Sequence, residues 1–599
     1  MLLPPDQSAV SPQSAIGPQS AVSPIVSYVL KIDPADSGIF DVTVRIRNAP
    51  PTLRLAMAVH PEYNQRYWRF VRDLTAQAAG GPTAVTRERD NVWTVTTRGG
   101  SATVHYRIAL EPANPASRPA WHSFLTSTGA SVNSTDTFMY PLDFPNEPAQ
   151  ITLAIPAGWR VVTGLALRRG GGSDRELSSR SSYDLVDTPL LLGQLRLWSF
   201  NVRGIPHRVA YWPLPNAVPF DTTEFVAAIE RFAGATLELF GGAPYSSYTF
   251  LFQDGAWGGL EHVSSAQLGA QSSDLARNPR HDMGEIAHEF VHTWNLMALD
   301  PQGPNKVTAE PPAPLRELWF SEGFTMYFAQ VLMRKSASTI DDRSRIDELA
   351  QEITRYYANA GNTLVSPERG SWASIYGPDS AGDYLSNYYT QGRLVAEMLD
   401  IVVRDSTNGR RGMRDVMRRM YELYAHKRGY TGADVERVTN EVCGCNVHRI
   451  FEDHIRNARP IEFNNYLTRL GLQAVVESSP AVDTAGTPYA DLRISAYQPE
   501  TGRMRVRIMH PQSVWRSAGL ATRMELVAMK GIPIDSFPDF RRAIRSVRLG
   551  DVVPVDVIAD GAPRRVMVTV TGYERPRVRI VERPDATDAE RRRRRDWDW

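Results

Sequence analysis

Between Val26 and about Trp212, the chain carries short runs in which apolar and polar residues alternate. Examples are FDVTVRIR, VWTVTT, ATVHYRIAL and ITLAIPAGWRVVTGLAL, and clusters of Gly, Pro and Asn separate them. Alternation with a period of two places one face of a strand in a core and the other toward water. The pattern therefore predicts a mostly antiparallel β domain over 26–212.

The period changes after PNAVPFDTTEF. FVAAIERFAGATLELF has apolar residues three and four positions apart, the spacing of an amphipathic helix, and similar stretches recur to about residue 472. Strand-like runs then return in LRISAY, RMRVRIM, MELVAMKGIPI and VPVDVIADGAPRRVMVTVTGY, with one amphipathic helix, FPDFRRAIRSV, among them. We predict a mainly helical domain over 213–474 and an α+β module over 475–575.

The two ends differ from these domains in composition. The repeat SAVSPQ, SAIGPQ, SAVSP has too few apolar residues to offset the entropy of ordering, which predicts a flexible leader over 1–25. The end ERRRRRDWDW sets five arginines beside acidic residues and two tryptophans. Such a charge run predicts a solvated, charged tail over 576–599.

Length and charge narrow the functional classes. A chain of 599 residues is about four times the usual domain length, so we expect three or four domains. The net charge of +1 argues against nucleic acid as a partner. No run approaches the roughly 20 apolar residues of a membrane span, and the start lacks the features of a signal peptide. We therefore expect no membrane span, and the cytoplasm is favoured over the periplasm with a removed signal.

The main candidate for chemistry is HEFVH, within DMGEIAHEFVHTWNLM. Asp282 and Glu285 have the spacing of a capping box, which predicts that a helix starts here and runs through the motif. His288 and His292, four positions apart, then share one face and can bind one zinc ion, with Glu289 beside them. Two histidines and a carboxylate leave a fourth position open, as a hydrolytic zinc site requires.

The third ligand is expected downstream, in PLRELWFSEGFTMYFAQVLM. Pro314 can open a helix, and Glu322 would lie in the middle of it among aromatic residues, where metal coordination compensates a buried carboxylate. Gly323 weakens a helix, so we expect close packing to require it. Glu317 is the alternative ligand.

DGAWGGLEHVSS supplies the candidate substrate-binding residues, Gly258, Gly259, Glu261 and His262. Glycines let a backbone approach a substrate closely, and a carboxylate beyond them can hold a free ammonium group. A simple turn before a strand is the structural alternative.

Two further groups have both a functional and a structural interpretation. Tyr389, in DYLSNYYTQGRLVAEMLD, can donate a hydrogen bond to an oxyanion, or it can simply pack at a helix start. Cys443, Cys445, His448 and His454 offer sulfur and imidazole ligands, but their spacing matches no usual zinc signature. The alternative for the cysteines is a turn with two small buried thiols.

Four segments of the chain occur in the order GGLEH, HEFVHTWN, LWFSEGFT and YYTQGRLVAEMLD. Together they resemble the glycyl aminopeptidase-like zinc metallopeptidases. These enzymes are gluzincins with a thermolysin-like catalytic domain. The stretches HPEYNQRYWRFVRDL and SYDLVDTPLLLGQL extend the resemblance into the N-terminal β domain. SVWRSAGLATRMELVAMKGIPI resembles the core of a PDZ domain. The resemblance thus implies a multidomain α+β protein with an N-terminal β domain, a zinc peptidase domain and a C-terminal PDZ-like domain.

The resemblance also implies the residue roles. One zinc ion per chain would be bound by His288, His292 and Glu322, with Glu289 as general base and then acid. Glu261 would anchor the substrate amine, and Tyr389 would stabilise the oxyanion.

Two positions depart from the family pattern. Gln391 stands where related sequences have Lys, and Arg523-Met524-Glu525 replaces the usual Gly-Asp turn of the PDZ-like core. The second departure weakens the expectation that this module binds peptide C-termini.

These observations predict a zinc aminopeptidase acting on peptides with a free N-terminus. The resemblance implies a preference for small N-terminal residues such as Gly or Ala. Two alternatives stay open. The chain could be an endopeptidase of the same fold, which would differ at Glu261. It could also be a catalytically silent scaffold whose PDZ-like module binds peptide C-termini. The sequence leaves the oligomeric state open.

Overall fold

The computed structural model describes residues 23–35, 38–59, 66–167, 175–303, 309–310, 313–336, 342–376, 380, 382–499, 501–595 and 597. Most of the leader predicted over 1–25 lies outside these ranges, as do residues 60–65 of the HPEYNQ stretch. Among the described residues, no helix is long and apolar enough to cross a membrane.

The N-terminal region is built of antiparallel sheets, as the alternating pattern predicted. In the strand Ile39–Ala49, Phe40, Val42, Val44 and Ile46 are at most 1% exposed, while residues between them face outward. One pair, Ile25–Lys31 with Ala149–Ala154, is parallel.

Three sheets account for most of these strands. The eight-stranded sheet comprises Ile25–Lys31, Ile39–Ala49, Val71–Ala78, Gly81–Thr83, Gly100–Ala109, Ala149–Ala154, Ala166–Leu167 and Glu176–Ser179. The two four-stranded sheets comprise Phe124–Thr126, Gly129–Val132, Arg160–Thr163 and Leu190–Gly193, and Thr52–Ala56, Val85–Arg89, Val92–Thr96 and Tyr140–Pro141. Two short helices, Ser134–Thr137 and Ser182–Asp187, connect them.

A five-stranded sheet follows, and it extends across the boundary predicted at Trp212. Its order is Arg196–Val202, Ile205–Trp212, Tyr248–Asp254, Ser265–Ala270 and Gly259–Glu261. The helix Thr222–Phe240 connects two parallel strands of this sheet, Ile205–Trp212 and Tyr248–Asp254. The sheet therefore joins strands from both sides of the predicted boundary, and its last strand, Gly259–Glu261, is an edge strand.

The helical region packs against this sheet. Its longest buried helix is Tyr388–Ser406, in which Gln391 to Arg404 are all buried. The other helices of eight or more residues are Met283–His292, Gly323–Ser336, Asp342–Ala358, Pro367–Tyr376, Met413–Tyr424 and Gly432–Cys443. Shorter ones are Ser272–Arg277, Leu318–Ser321, His448–Phe451 and Asn464–Leu467.

The C-terminal module, residues 494–569, has an apolar core of its own. Its strands are Ile494–Tyr497, Arg505–Ile508, Glu525–Met529, Ile532–Pro533, Val552–Ala559 and Ala562–Thr569. The helix predicted from FPDFRRAIRSV spans Phe537–Arg545 and is capped by the Ser536 side chain. A two-stranded ribbon, Leu472–Pro480 with Glu574–Glu582, links the module to the helical region. The PDZ resemblance of this module stays a prediction.

The tail is not the solvated segment that its charge run predicted. Helix Asp588–Arg595 follows the ribbon, and Arg591 and Arg594 pair with Glu582. Trp597 is 1% exposed within the core of the helical region, and the Arg345 guanidinium lies 3.4 Å from its ring centroid. Two arginines of the run are thus paired with Glu582, and the indole that follows the run is buried.

Replacing Trp597 with Ala is expected to lower the free energy of unfolding by about 3–5 kcal/mol, because the indole leaves a large cavity in the core. Denaturant unfolding followed by far-UV circular dichroism measures this change. Trp257→Ala is the matched control, since that indole is 51% exposed and should alter stability little. Equal midpoints for the two variants would show that Trp597 does not dock.

The second metal cluster considered for Cys443, Cys445, His448 and His454 does not form. A disulfide joins Cys443 to Cys445, so these sulfurs are neither metal ligands nor free thiols. The His448 ring contacts Glu436 at 2.7 Å, and Nδ1 of His454 donates to the carbonyl of Arg459. The two histidines are thus directed to different partners.

Candidate metal centre and substrate cavity

The HEFVH motif lies on the helix Met283–His292, which begins where the sequence predicted. The predicted capping box is wrong, however, because the Asp282 side chain makes no cap hydrogen bond. The Asp282 carboxylate instead lies 2.7 Å from Nδ1 of His281. The helix therefore begins without a side-chain cap, and packing of its apolar face, which includes Ile286 and Phe290, holds it in place.

His288, His292 and Glu322 converge on one point. The Nε2 atoms of the two histidines are 2.9 Å apart, and Oε2 of Glu322 lies 3.2 Å from each of them. Zinc bound at about 2.0–2.1 Å in tetrahedral geometry needs ligand atoms about 3.3 Å apart. The three side chains therefore fit one zinc ion, and the two-His, one-carboxylate set leaves a coordination position open.

Glu322 does not lie in the middle of a continuous helix that opens at Pro314, as predicted. The chain forms a short helix, Leu318–Ser321, and a longer one, Gly323–Ser336, and Glu322 occupies the junction. A Cβ on Gly323 would collide with the backbone of Gly392 in the neighbouring helix. The predicted close packing at Gly323 is thus confirmed, and it fixes the junction that carries the carboxylate.

Asn295 supports the centre from behind and was not assigned a role from the sequence. Its carbonyl accepts a hydrogen bond from Nδ1 of His292 at 3.0 Å, which leaves Nε2 as the metal-facing lone pair. Its side-chain amide donates to the carbonyls of Phe320 and Ser321, each at 3.1 Å. Asn295 therefore fixes His292 and the helix junction before Glu322 together.

Burial and charge shift the acid–base groups of the site strongly. Burial raises the pKa of Glu289 well above its ordinary value, and the Glu261 carboxylate raises it further. Burial also raises the pKa of Glu261. For Glu322, burial opposes ionisation, but His292 and His288 outweigh it and lower the pKa. A buried carboxyl with a raised pKa is suited to taking up and returning a proton.

Glu317, the alternative ligand, lies outside this cluster. One of its carboxylate oxygens accepts a hydrogen bond from the backbone of Arg316 at 3.0 Å, and the other accepts from Gly432 at 3.4 Å. Its side chain therefore joins backbone segments and does not face the histidines.

The edge strand Gly259–Glu261 lies alongside the motif helix. Glu261, Glu289 and His292 have ligand-capable atoms within 4.8 Å of one another. A Cβ on Gly259 would overlap the Glu289 side chain, and one on Gly258, whose φ is +72°, would lie 2.6 Å from the Trp121 ring. Glycine is therefore required at both positions, because the Glu289 and Trp121 side chains occupy the space that a Cβ would need. Both glycines also line the cavity.

His262 does not line the cavity and is 4% exposed. Its Nδ1 lies 3.5 Å from the Asp187 carboxylate, which also accepts a hydrogen bond from the backbone of Val263 at 3.1 Å. The structure therefore places His262 outside the cavity, away from the other residues predicted to bind substrate. Asp187 belongs to the N-terminal β region, so this contact anchors the strand of Glu261 to that region.

Tyr389 lies in the first turn of helix Tyr388–Ser406 and lines the same cavity. Its ring centroid is 6.0 Å from that of His288. Gln391, in contrast, is buried behind the site and donates to the carbonyls of Asn362 and Val365. The departure from the family pattern at Gln391 therefore does not reach the cavity.

A cavity of about 1010 Å³ opens over these groups. At one side Trp121 and Trp257 meet edge to face, with centroids 5.0 Å apart. Its lining continues along one face of helix Gly323–Ser336 through Met326, Gln330, Met333 and Arg334. The volume accommodates a peptide of several residues.

A long connection joins the two helices that carry the candidate ligands. Two of its described residues, Ala309 and Glu310, contact the N-terminal β region. The carbonyl of Ala309 accepts from Asn91 at 2.8 Å, and Glu310 pairs with Arg89 at 2.6 Å. Residues 304–308 and 311–312 lie outside the described part of the chain.

Two family models match the sequence in the order in which the regions occur. Residues 27–194 match the M61 peptidase N-terminal domain, and residues 281–395 match the M61 glycyl aminopeptidase domain. The second range contains the two histidines, Glu289, Glu322 and Tyr389. In both regions the chain is similar to M61 peptidases. It is a metalloaminopeptidase.

Solved structures with a similar fold extend the comparison. An aminopeptidase N family protein from Idiomarina loihiensis has a TM-score of 0.74 and 21% identity, covering 94% of this chain and 99% of that one. An M1 zinc metallopeptidase mutant from Deinococcus radiodurans, bound to a Tyr-Ser-Ala substrate, has a TM-score of 0.46 and 16% identity, covering 73% and 94%. The first match shows a common fold over nearly the whole chain. Among curated proteins, none matches this sequence.

Proposed function

We propose that this chain is a zinc aminopeptidase that removes single residues from the free N-terminus of peptides. The position of Glu261 carries the proposal, since its carboxylate lies within 4.8 Å of ligand-capable atoms of Glu289 and His292. One extended residue spans about 3.5 Å. An ammonium group held by Glu261 therefore places the first peptide bond, and no later one, at the reacting centre.

His288, His292 and Glu322 would hold one zinc ion. When bound, zinc would supply Lewis-acid chemistry that polarises a carbonyl and makes a water more acidic. Glu289 takes the proton from the attacking water and returns it to the leaving amine. The Tyr389 hydroxyl donates a hydrogen bond to the carbonyl oxygen as negative charge develops on it.

The electrostatics of Glu261 and Glu289 favour a cationic substrate. Besides burial, the nearby Glu261 carboxylate raises the pKa of Glu289, as expected when two negative charges repel each other. An ammonium group beside Glu261 relieves that repulsion and keeps Glu289 ionised to accept a proton. Binding of the substrate's amino terminus therefore also prepares the base.

The preference for small N-terminal residues is part of the proposal. The family description, glycyl aminopeptidase, supports it. So does the position of Trp121, whose ring fills the space beside Gly258 next to the strand that carries Glu261. A panel of aminoacyl chromogenic substrates, run with and without a chelator, tests the preference, and faster cleavage of large aromatic residues than of Gly or Ala would refute it.

A free peptide and its N-acetylated form are expected to differ sharply, because acetylation removes the charge that Glu261 accepts. Cleavage of the free peptide should exceed that of the blocked one by at least about 100-fold, in line with a buried charge left unpaired. Chromatography of the products measures both rates. Glu261→Gln should lower kcat/KM for the free peptide and leave the blocked one unchanged. Equal cleavage of both peptides by the unaltered chain would favour the endopeptidase alternative.

A further inference from the structure

The C-terminal module contacts the segment that leads directly into the helix carrying Tyr389. Oγ1 of Thr522 donates to the carbonyl of Asp383 at 3.0 Å, and the Arg523 guanidinium donates to the Asp383 carboxylate at 2.7 Å. The next residue, Tyr384, packs against the apolar core of the module. Three different kinds of contact thus hold one short stretch of chain that ends at the active-site helix.

The backbone of Arg523 has a φ of +76°, a left-handed conformation that favours glycine. A residue with a Cβ is strained in this conformation, so its presence here indicates that the side chain has a structural or functional role. Arg523 is also the point at which the sequence departs from the Gly-Asp turn of the module's usual pattern. Its contact with Asp383 gives that departure a physical reason.

The same segment is fixed from its other side by the helical region. The backbone N–H of Asn387 donates to Oδ1 of Asn362 at 2.7 Å, and Oδ1 of Asn387 caps the helix by accepting from Thr390 at 3.1 Å. A Cβ on Gly361 would collide with the carbonyl of Leu385. Residues 383–387 therefore lie between the module and the helical region, and their position sets where the helix begins.

We propose that the C-terminal module is a positioning element of the active site: Thr522 and Arg523 hold Asp383 and so fix the start of the helix that places Tyr389 beside the metal-ligand cluster. The inference rests on the proposed role of Tyr389 in oxyanion stabilisation. Arg523 is a positioning residue, since Asp383 lies six positions before Tyr389 and neither Arg523 nor Asp383 lines the cavity.

The exposure of the ion pair indicates what kind of effect to expect. The Arg523 and Asp383 side chains are 39% and 52% exposed, and exposed pairs contribute little to global stability. Removing the pair should therefore leave the fold intact and act on catalysis through the placement of Tyr389. A misplacement of 1 Å can lower a rate by about 100-fold, so a partial loss of restraint should lower it by less.

Arg523→Gly tests the proposal, because glycine relieves the backbone strain and removes the side chain that contacts Asp383. We expect kcat on an aminoacyl substrate to fall about tenfold, with KM, zinc content and the thermal midpoint unchanged. Arg523→Lys, which keeps the charge, should restore most of the activity. High salt should lower wild-type kcat toward that of R523G, since at about 1 M the screening length is about 3 Å.

Lys530→Gly is the matched control. Lys530 also has a positive φ, of 52°, and it pairs with Asp551 at 2.7 Å, but both residues lie within the module. K530G should retain wild-type kcat. If R523G keeps wild-type kcat, or if K530G loses as much, the positioning role is refuted.

A parallel Tyr389→Phe variant separates this inference from the function on which it rests. Low kcat in Y389F with normal kcat in R523G overturns the positioning role alone. Normal kcat in Y389F overturns the oxyanion role of Tyr389, and the inference with it.

Discussion

Glu289→Gln is expected to abolish hydrolysis while leaving bound zinc in place. The amide cannot accept the proton of the attacking water, and loss of a general base typically lowers kcat by about 100- to 10,000-fold. The metal ligands should be undisturbed, because Glu289 is not part of the His288, His292 and Glu322 cluster, and Gln has nearly the same shape. Steady-state kinetics and elemental analysis of the same preparation measure both quantities.

Glu285→Gln is the matched control for this variant. Glu285 lies one turn earlier on the same helix and lines the same cavity, but its side chain is exposed. It should therefore keep near wild-type kcat. Full activity in E289Q, or an equal loss in E285Q, would remove Glu289 from the role of base.

His292→Ala is expected to lose both zinc and activity. His292 is 1% exposed, and its Nδ1 donates a hydrogen bond to the carbonyl of Asn295. Its Nε2 is one of the three converging atoms that could bind a metal. Loss of a supporting residue typically lowers metal affinity or activity by about 10- to 100-fold, and loss of a ligand itself should exceed this. Zinc content per chain and kcat/KM, measured before and after dialysis against a chelator, report the change.

The control for this second variant is His281→Ala, which removes an exposed histidine just before the same helix. It should retain zinc, and zinc added to the chelated wild-type chain should restore its activity. If the wild-type chain holds less than one zinc in several molecules, the silent-scaffold alternative is favoured. If H292A stays active, the role of His292 as a zinc ligand is refuted.

Local patterns predicted much of the fold and the centre of the site. The alternation in FDVTVRIR predicted the strand Ile39–Ala49, and the spacing of HEFVH predicted that His288 and His292 share one helix face. These predictions succeeded because strand and helix periodicity are set by the backbone and are visible over a few residues. Glu322, which was predicted as the third ligand, lies in the converging cluster, although it does not lie in the middle of one helix as predicted.

The predictions from sequence were wrong where segments far apart in the chain pack against each other. Pro314 was expected to open a helix, but the helix starts at Leu318 and breaks at Glu322, because Gly323 packs against Gly392 of another helix. The tail was expected to be solvated, but Trp597 fills a site in the core beside Arg345. The local sequence indicated a close contact at Gly323 but not its partner, and it did not indicate a buried site for Trp597.

The sequence by itself determined the residues of the candidate centre: two histidines on one helix face, Glu289 beside them and a distant carboxylate, Glu322. Only the tertiary structure decided how these groups are used. It set Glu261 beside Glu289, directed His262 toward Asp187 and brought Trp121 and the contacts of Arg523 to the active-site region. The physical reason is that metal ligation follows residue type and short-range spacing, whereas substrate selection and positioning depend on packing between segments far apart in the chain.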